Sequence, residues 1–255
     1  MIFALCGTGD ARELAVRIQQ SGFELLTSVV TDNAANSLRE ANLSVRIGRL
    51  GKDGLVTLIR REEVRAIVDA SHPFAEEAHR NAMAAAEEAG IPYIRFERAS
   101  LDYGDDPRLT VVSSYEEAAA ESKKCKGSVM LTTGCKTLHI FAGHLLGDPE
   151  IRLVVRTLPR RDNMERCEEL GVEQKNIIAL QGPFSRELNE ALYRQYGTTV
   201  MVTKESGKPG AVDEKIAAAL ELGIRVILIS RPDIDFGAVF TDFQDVIEQL
   251  NKVAR

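Results

Sequence analysis

The stretch VRAIVDASHPFAEEAHRNAMAAAEEAG, residues 64–90, decides the fold. VRAIV is a short apolar run and reads as a buried strand. From Phe74 the composition turns to Ala and Glu, strong helix formers, and the segment stops at Gly90. PYIRFER (92–98) then returns as a strand. Between strand and helix stands Asp69-Ala70-Ser71-His72-Pro73-Phe74, where a plain turn would use Gly or Asn.

The same alternation runs outward in both directions. Upstream, MIFALC (1–6), FELLTSVV (23–30) and VRIG (45–48) read as strands, with helices expected in ARELAVRIQQSG (11–22), NAANSLREAN (33–42) and LVTLIRREE (55–63). Residues 99–109, ASLDYGDDPRL, break the pattern with Gly104, an Asp pair and Pro107, as a linker would. Alternation then resumes, with strands at LTVVSS (109–114), SVMLTTG (128–134), IRLVVR (151–156), NIIALQG (176–182), TTVMVT (198–203) and RVILIS (225–230), and the last helix at DFQDVIEQLNKV (242–253). Strands that are apolar throughout, each followed by a helix, imply a parallel sheet covered on both faces. The expected fold is α/β: two Rossmann-like lobes with parallel sheets and a cleft between them, divided as 1–103 and 104–255.

Composition narrows the function. The chain has 255 residues, 44% hydrophobic and 27% charged, as an ordinary soluble protein does. Its net charge of −6 gives no support to nucleic-acid binding. The N-terminus lacks a basic leader region, and no apolar run is long enough to span a membrane, so a cytoplasmic protein is expected. No apolar stripe stands outside the core pattern to indicate an oligomeric interface. Cys6, Cys125, Cys135 and Cys167 form no CxxC pair, and the four histidines form no ligand pair, so no protein-held metal is expected.

In open parallel sheets ligands bind beyond the carboxyl ends of the strands. Gly7-Thr8-Gly9 lies at the first such end, where glycines let backbone approach a pyrophosphate at a helix N-terminus. Arg12 replaces the third Gly of the usual GxGxxG pattern, so a phosphate loop and a plain tight turn are both open. Asp32 stands at the end of the second strand, where an acid would meet an adenosine ribose, or simply serves a turn. A ribose role would favour NADH over NADPH. Ser71, His72 and Pro73 form either a capping segment or a wall of a nucleotide site. In the second lobe Lys204, Glu205, Ser206 and Lys208 share one strand-end loop, and Lys136 and Arg156 stand in or beside others.

These loops together are similar to the precorrin-6A reductase family of cobalamin biosynthesis. The resemblance rests on DASHPFAEEAHRNA, RFER, LTTGCKTL, RTLP, GPFSRELNEAL and VTKESG, in order along nearly the whole chain. It implies reduction of one ring double bond of precorrin-6A, or of its cobalt form, with NADH or NADPH. The first lobe would then hold the cofactor, and the second would contribute to the substrate cleft. Cys6-Gly7-Thr8-Gly9 departs from the Gly-Gly-Thr expected of the family, which leaves Gly9 the weaker match. Given that chemistry, Gly7, Thr8, Gly9, Asp32, Ser71, His72 and Pro73, at strand ends of the first lobe, are expected to meet the cofactor. Lys204 and Glu205 would face the ring. Arg12, Lys136, Arg156, Ser206 and Lys208 would meet the carboxylates of a tetrapyrrole, with Arg95 and Arg231 adding to the local positive charge. A tandem-Rossmann nucleotide-dependent transferase and a two-lobed binding protein without chemistry are the alternatives on the same scaffold.

Overall fold

The computed structural model describes residues 1–99, 105–205 and 214–254. Its contacts define two compact units. The first begins β1 (Ile2–Leu5), α1 (Gly9–Gln20), β2 (Leu25–Val29), α2 (Asp32–Arg39), β3 (Ser44–Ile47), α3 (Lys52–Arg61), β4 (Ala66–Asp69), α4 (Glu76–Ala89) and β5 (Tyr93–Phe96). The second runs β6 (Leu109–Val112), α5 (Tyr115–Cys125), β7 (Gly127–Leu131), α6 (Leu138–Leu145), β8 (Ile151–Thr157), α7 (Arg161–Glu169), β9 (Ile177–Ala179), α8 (Arg186–Gln195), β10 (Thr198–Lys204), α9 (Glu214–Glu221) and β11 (Arg225–Ile229). The chain closes with β12 (Val239–Phe240) and α10 (Phe243–Val253).

Each apolar run becomes a strand and each Ala- or Glu-rich segment a helix because burial on two faces suits the first and one buried stripe suits the second. All four residues of β4 are buried, whereas α4 buries only His79, Ala82, Ala85 and Ala86 along one stripe. Helix ends follow the local sequence. Thr8 accepts from the Ala11 N–H at 3.2 Å and starts α1, and Gly90, with φ +66°, ends α4.

The first sheet has the order β12-β5-β4-β1-β2-β3 and the second β6-β11-β10-β7-β8-β9, every neighbouring pair parallel. Both follow the doubly wound pattern, in which strand order reverses at one point. In the first sheet that switch lies between β1 and β4, and in the second between β7 and β10. The carboxyl ends of those four strands carry GTG, DASHPF, TTGCK and Lys204-Glu205.

The structure differs from the expected division at 104. The segment from Pro232 onward returns to the first unit, where β12 pairs with β5 and α10 packs against α1. Val246, Ile247 and Leu250 of α10 join Ile2, Leu14 and Ile18 in one core, and Phe243 meets Phe96 with ring centroids 4.9 Å apart. The amphipathic face of α10 finds its matching apolar surface on the first unit, so continuity of the chain does not set the boundary.

Candidate active site

At the first switch point, β1 ends in a turn whose glycines stand beside open space. A Cβ built on Gly7 or Gly9 would meet no atom within 4 Å. The turn opens onto a cavity of about 550 Å³, lined also by Cys6, Thr8, Arg12, Asn33 and Ser37. Arg12 is exposed and donates to Ser37 Oγ at 3.3 Å, bridging α1 to α2 along this cavity. It therefore stands with the Gly7–Gly9 turn, whereas its charge and strand-end position led to the expectation that it would meet the substrate's carboxylates. Asp10 of the same turn pairs with Arg98. Burial, then the nearby Asp69 charge, pushes the Cys6 thiol up to about 12, which marks it as an inert packing residue.

Asp32 is not at the end of a strand. β2 stops at Val29, Thr31 caps α2, and Asp32 is the exposed first residue of that helix. The cavity wall there is made by Val29, Asn33, Ala34, Ser37 and Leu38. The Thr-Asp-Asn sequence suits helix capping, and capping sets where the strand ends.

Across the switch point, the loop after β4 is organised from beneath by Asp69. Its Oδ1 accepts from the Ser71 N–H at 2.9 Å and from the Ser71 hydroxyl at 2.6 Å. Its Oδ2 lies 2.7 Å from His79 Nδ1 and accepts from the Tyr93 hydroxyl at 2.8 Å. Arg95 Nη1 donates to Asp69 Oδ1 at 3.2 Å, to the Asp69 carbonyl at 3.1 Å and to the Ser71 carbonyl at 3.0 Å. Asp69, His79 and Arg95 are each fully buried. Burial alone would raise the Asp69 carboxyl, but the His79 hydrogen bond, the Arg95 charge and Ser71 outweigh it and hold it at about 2. Burial and then Asp69 push the Tyr93 phenol upward. Ser71, His72 and Pro73 are half-buried above this cluster, and the Phe74 N–H donates to His72 Nδ1 at 3.2 Å. Arg95 is thus a buried structural cation rather than the expected attractor of carboxylates.

The second switch point gathers lysines. Thr132 follows β7 and donates its hydroxyl to the Val202 carbonyl at 3.0 Å, and Gly134 takes φ +80° to turn the chain into α6. Lys136 is exposed, and Lys204, at the end of β10, is half-buried. Burial, followed by the charges of Lys215 and Lys136, brings the Lys204 amine down to about 8. The Lys136 charge thus reaches the Lys204 amine from the neighbouring strand's loop. Glu205 lies with Oε1 3.3 Å from Arg231 Nε, so the expected positive contribution of Arg231 is matched by a carboxylate. Arg156 is buried within β8, donates to Asn189 Oδ1 at 2.7 Å and lies over the Phe184 ring at 4.5 Å. It ties β8 to α8 and its leading loop. Ser206 and Lys208 lie outside the described residues. Cys135 and Cys167 are free thiols with sulfurs 3.8 Å apart. Among the described residues there is no cluster fit to hold a metal ion and no helix long and apolar enough to cross a membrane.

Sequence reasoning missed Asp69, His79 and Tyr93 and misplaced Arg95. Two signals point to them. His79 falls on the stripe of Ala82 and Ala86, and a lone His on an apolar helix face calls for a buried partner. Arg95 interrupts the apolar strand YIRF, and the sheet register sets it directly opposite Asp69.

Comparison with known proteins bears on the whole chain. A family model described as precorrin-6x reductase CbiJ/CobK matches residues 1–251. A protein of Priestia megaterium named cobalt-precorrin-6A reductase is 55% identical over 250 residues, 98% of each chain. One of the same name from Methanothermobacter thermautotrophicus is 36% identical over 100% of this chain and 84% of its own. The solved structure titled CobK precorrin-6A reductase superposes with a TM-score of 0.81 at 29% identity, covering 99% of this chain and 96% of that one.

Proposed function

The chain belongs to the precorrin-6x reductase family, and we propose that it reduces cobalt-precorrin-6A in cobalamin biosynthesis with hydride from NADH. The observation that carries this reading is the end-to-end similarity to the Priestia megaterium cobalt-precorrin-6A reductase. The geometry agrees with it. A dinucleotide needs close backbone at a helix N-terminus and room for the adenosine, and the open Gly7–Gly9 turn and the cavity behind it offer both.

When bound, the nicotinamide supplies the hydride, and the protein supplies orientation and electrostatics. Gly7, Thr8 and Gly9 receive the pyrophosphate. Arg12 and Ser37 line the adenosine side, and Ser71, His72 and Pro73 wall the opposite edge. We assign Asp32 to the rim, next to Asn33 of the cavity wall, where its charge disfavours a second phosphate on the ribose. Arg12 acts in the contrary sense, so coenzyme preference is read from kcat/KM with NADH and NADPH.

The substrate carries many carboxylates, and Lys136 and Lys204 present positive charge to them; contact with those carboxylates is a role we also assign to Ser206 and Lys208. Saturating a ring double bond takes one hydride and one proton on adjacent carbons. Lys204, whose amine sits near 8, holds an exchangeable proton at neutral pH and is assigned as the donor. Glu205, paired with Arg231, orients this end of the strand. The unit from β6 to β11 is thereby assigned mainly to the substrate and the unit carrying β1 and β4 to the cofactor. An anaerobic assay of both the cobalt and the metal-free substrate, each with NADH or NADPH, tests the reading. Oxidation of NADH with a gain of two hydrogens on the cobalt substrate supports it; a folded protein inactive in every combination refutes it.

A further inference from the structure

The 71–75 loop carries no glycine, yet it departs from a strand, turns and enters a helix. Its backbone is held by side chains from three other places in the first unit. Arg95 of β5 donates to the Ser71 carbonyl at 3.0 Å, and His79 of α4 directs Nε2 to the Pro73 carbonyl at 3.2 Å. Asp69 of β4 accepts from the Ser71 N–H. Thus the residues on either side of His72 are each fixed by a buried ionisable side chain. The outer wall of the cluster is Phe236, from the segment that returns after the second unit. Its ring stands edge-on to His79 with centroids 5.2 Å apart and takes the Arg95 guanidinium at 5.1 Å from its centre. Such a ring excludes water and strengthens the hydrogen bonds beneath it.

We propose that Asp69, His79 and Arg95, sealed by Phe236 of the returning segment, are positioning residues that hold the Ser71–Phe74 loop in the shape that binds the cofactor. This role presupposes that the loop belongs to the cofactor site. Two strands, one helix and the returning segment of the first unit converge on the cluster, so the loop is set by the tertiary fold rather than by turn chemistry. None of the four side chains need touch the cofactor. Their contribution is to make the loop pre-organised, so that binding does not have to order it.

The test measures dissociation of NADH by nicotinamide fluorescence, alongside kcat, the KM for NADH and the thermal midpoint, for His79→Gln, Phe236→Ala, Phe236→Leu, Tyr93→Phe and His72→Ala. Loss of the His79 bond to Pro73 is expected to weaken NADH binding about tenfold, the scale of one hydrogen bond. The expected kcat lies within about twofold of the parent, because the reacting atoms are untouched. Phe236→Leu should restore most of the affinity that Phe236→Ala loses. If His72→Ala weakens binding while His79→Gln and Phe236→Ala bind as the parent does, the positioning role is overturned and the cofactor assignment stands. If none of the variants changes NADH binding, the assignment of the loop to the cofactor fails together with the inference. Should His79→Gln not fold, Tyr93→Phe, which removes only one hydroxyl from Asp69, decides the matter by the same comparison.

Discussion

Replacing Arg95 with Met removes the guanidinium that meets the fully buried Asp69 carboxylate through an ion pair at Oδ1. Met fills a similar elongated volume, so the packing loss is small. The electrostatic loss is not. Nη1 gives up its bonds to Asp69 Oδ1, to the Asp69 carbonyl and to the Ser71 carbonyl, and the face over Phe236 loses its cation. Breaking one side of a buried pair costs about 3–5 kcal/mol. Here Ser71, Tyr93 and His79 still serve the carboxylate, which puts the expected loss near the lower end, about 3 kcal/mol. For a chain of this size that lowers the thermal midpoint by roughly 6–12 °C. Urea unfolding followed by circular dichroism measures it, with the first unit's transition analysed on its own. The variant Asp69→Asn/Arg95→Met, which removes both charges, should lose at least about 1 kcal/mol less than the sum of the two single variants. A loss below about 1 kcal/mol for Arg95→Met, or strict additivity in the double variant, would refute the picture of a coupled buried pair.

Three other outcomes follow from the same geometry. The Asp69 carboxyl is held below its unfolded value of 3.8 at about 2, so its contribution of about 2 kcal/mol is present above that unfolded value and is lost as pH falls through about 2. Asp69→Asn should flatten that acid limb in urea midpoints measured across this range. Gly9→Ala adds a methyl group that meets no atom within 4 Å, so stability should stay within about 0.5 kcal/mol while the KM for NADH rises. Equal KM values would remove Gly9 from the cofactor contacts. Lys204 is protonated below about 8, so kcat should fall as pH rises through that value, and Lys204→Ala should lose about 100-fold or more in kcat together with that limb. A pH profile unchanged in Lys204→Ala would assign the proton to another group.

The architecture was legible where local pattern sets it. Apolar runs such as AIVD and VMVT are strands in the structure, and Gly90 ends its helix as the sequence suggests. β12 was not legible, because it is two residues long, half-exposed at Val239 and recognisable only through its partner β5. The return of α10 to the first unit was hidden for a related reason. Its stripe of Val246, Ile247 and Leu250 shows that it packs, but not against which sheet. The site divides in the same way. Gly7, Gly9, His72, Lys136 and Lys204 lie at or just beyond strand ends, as expected, because strand ends can be read from sequence. Asp69 and Arg95 meet only because β4 and β5 are neighbours in register, a relation between residues 26 positions apart that no local window contains. Asp32 was misplaced because the capping preference of Thr31 ended the strand earlier than its apolar run implied.

The proposed hydride transfer from a nicotinamide to the macrocycle can be tested atom by atom. Cobalt-precorrin-6A is turned over anaerobically with NADH carrying deuterium on the transferring face of C4, and the product is analysed by mass. One deuterium is expected in the reduced macrocycle, with hydrogen from the solvent on the adjacent carbon. Reduced product without deuterium from either face of NADH or NADPH, or a folded protein that leaves the macrocycle unreduced, would contradict a nicotinamide-dependent reductase.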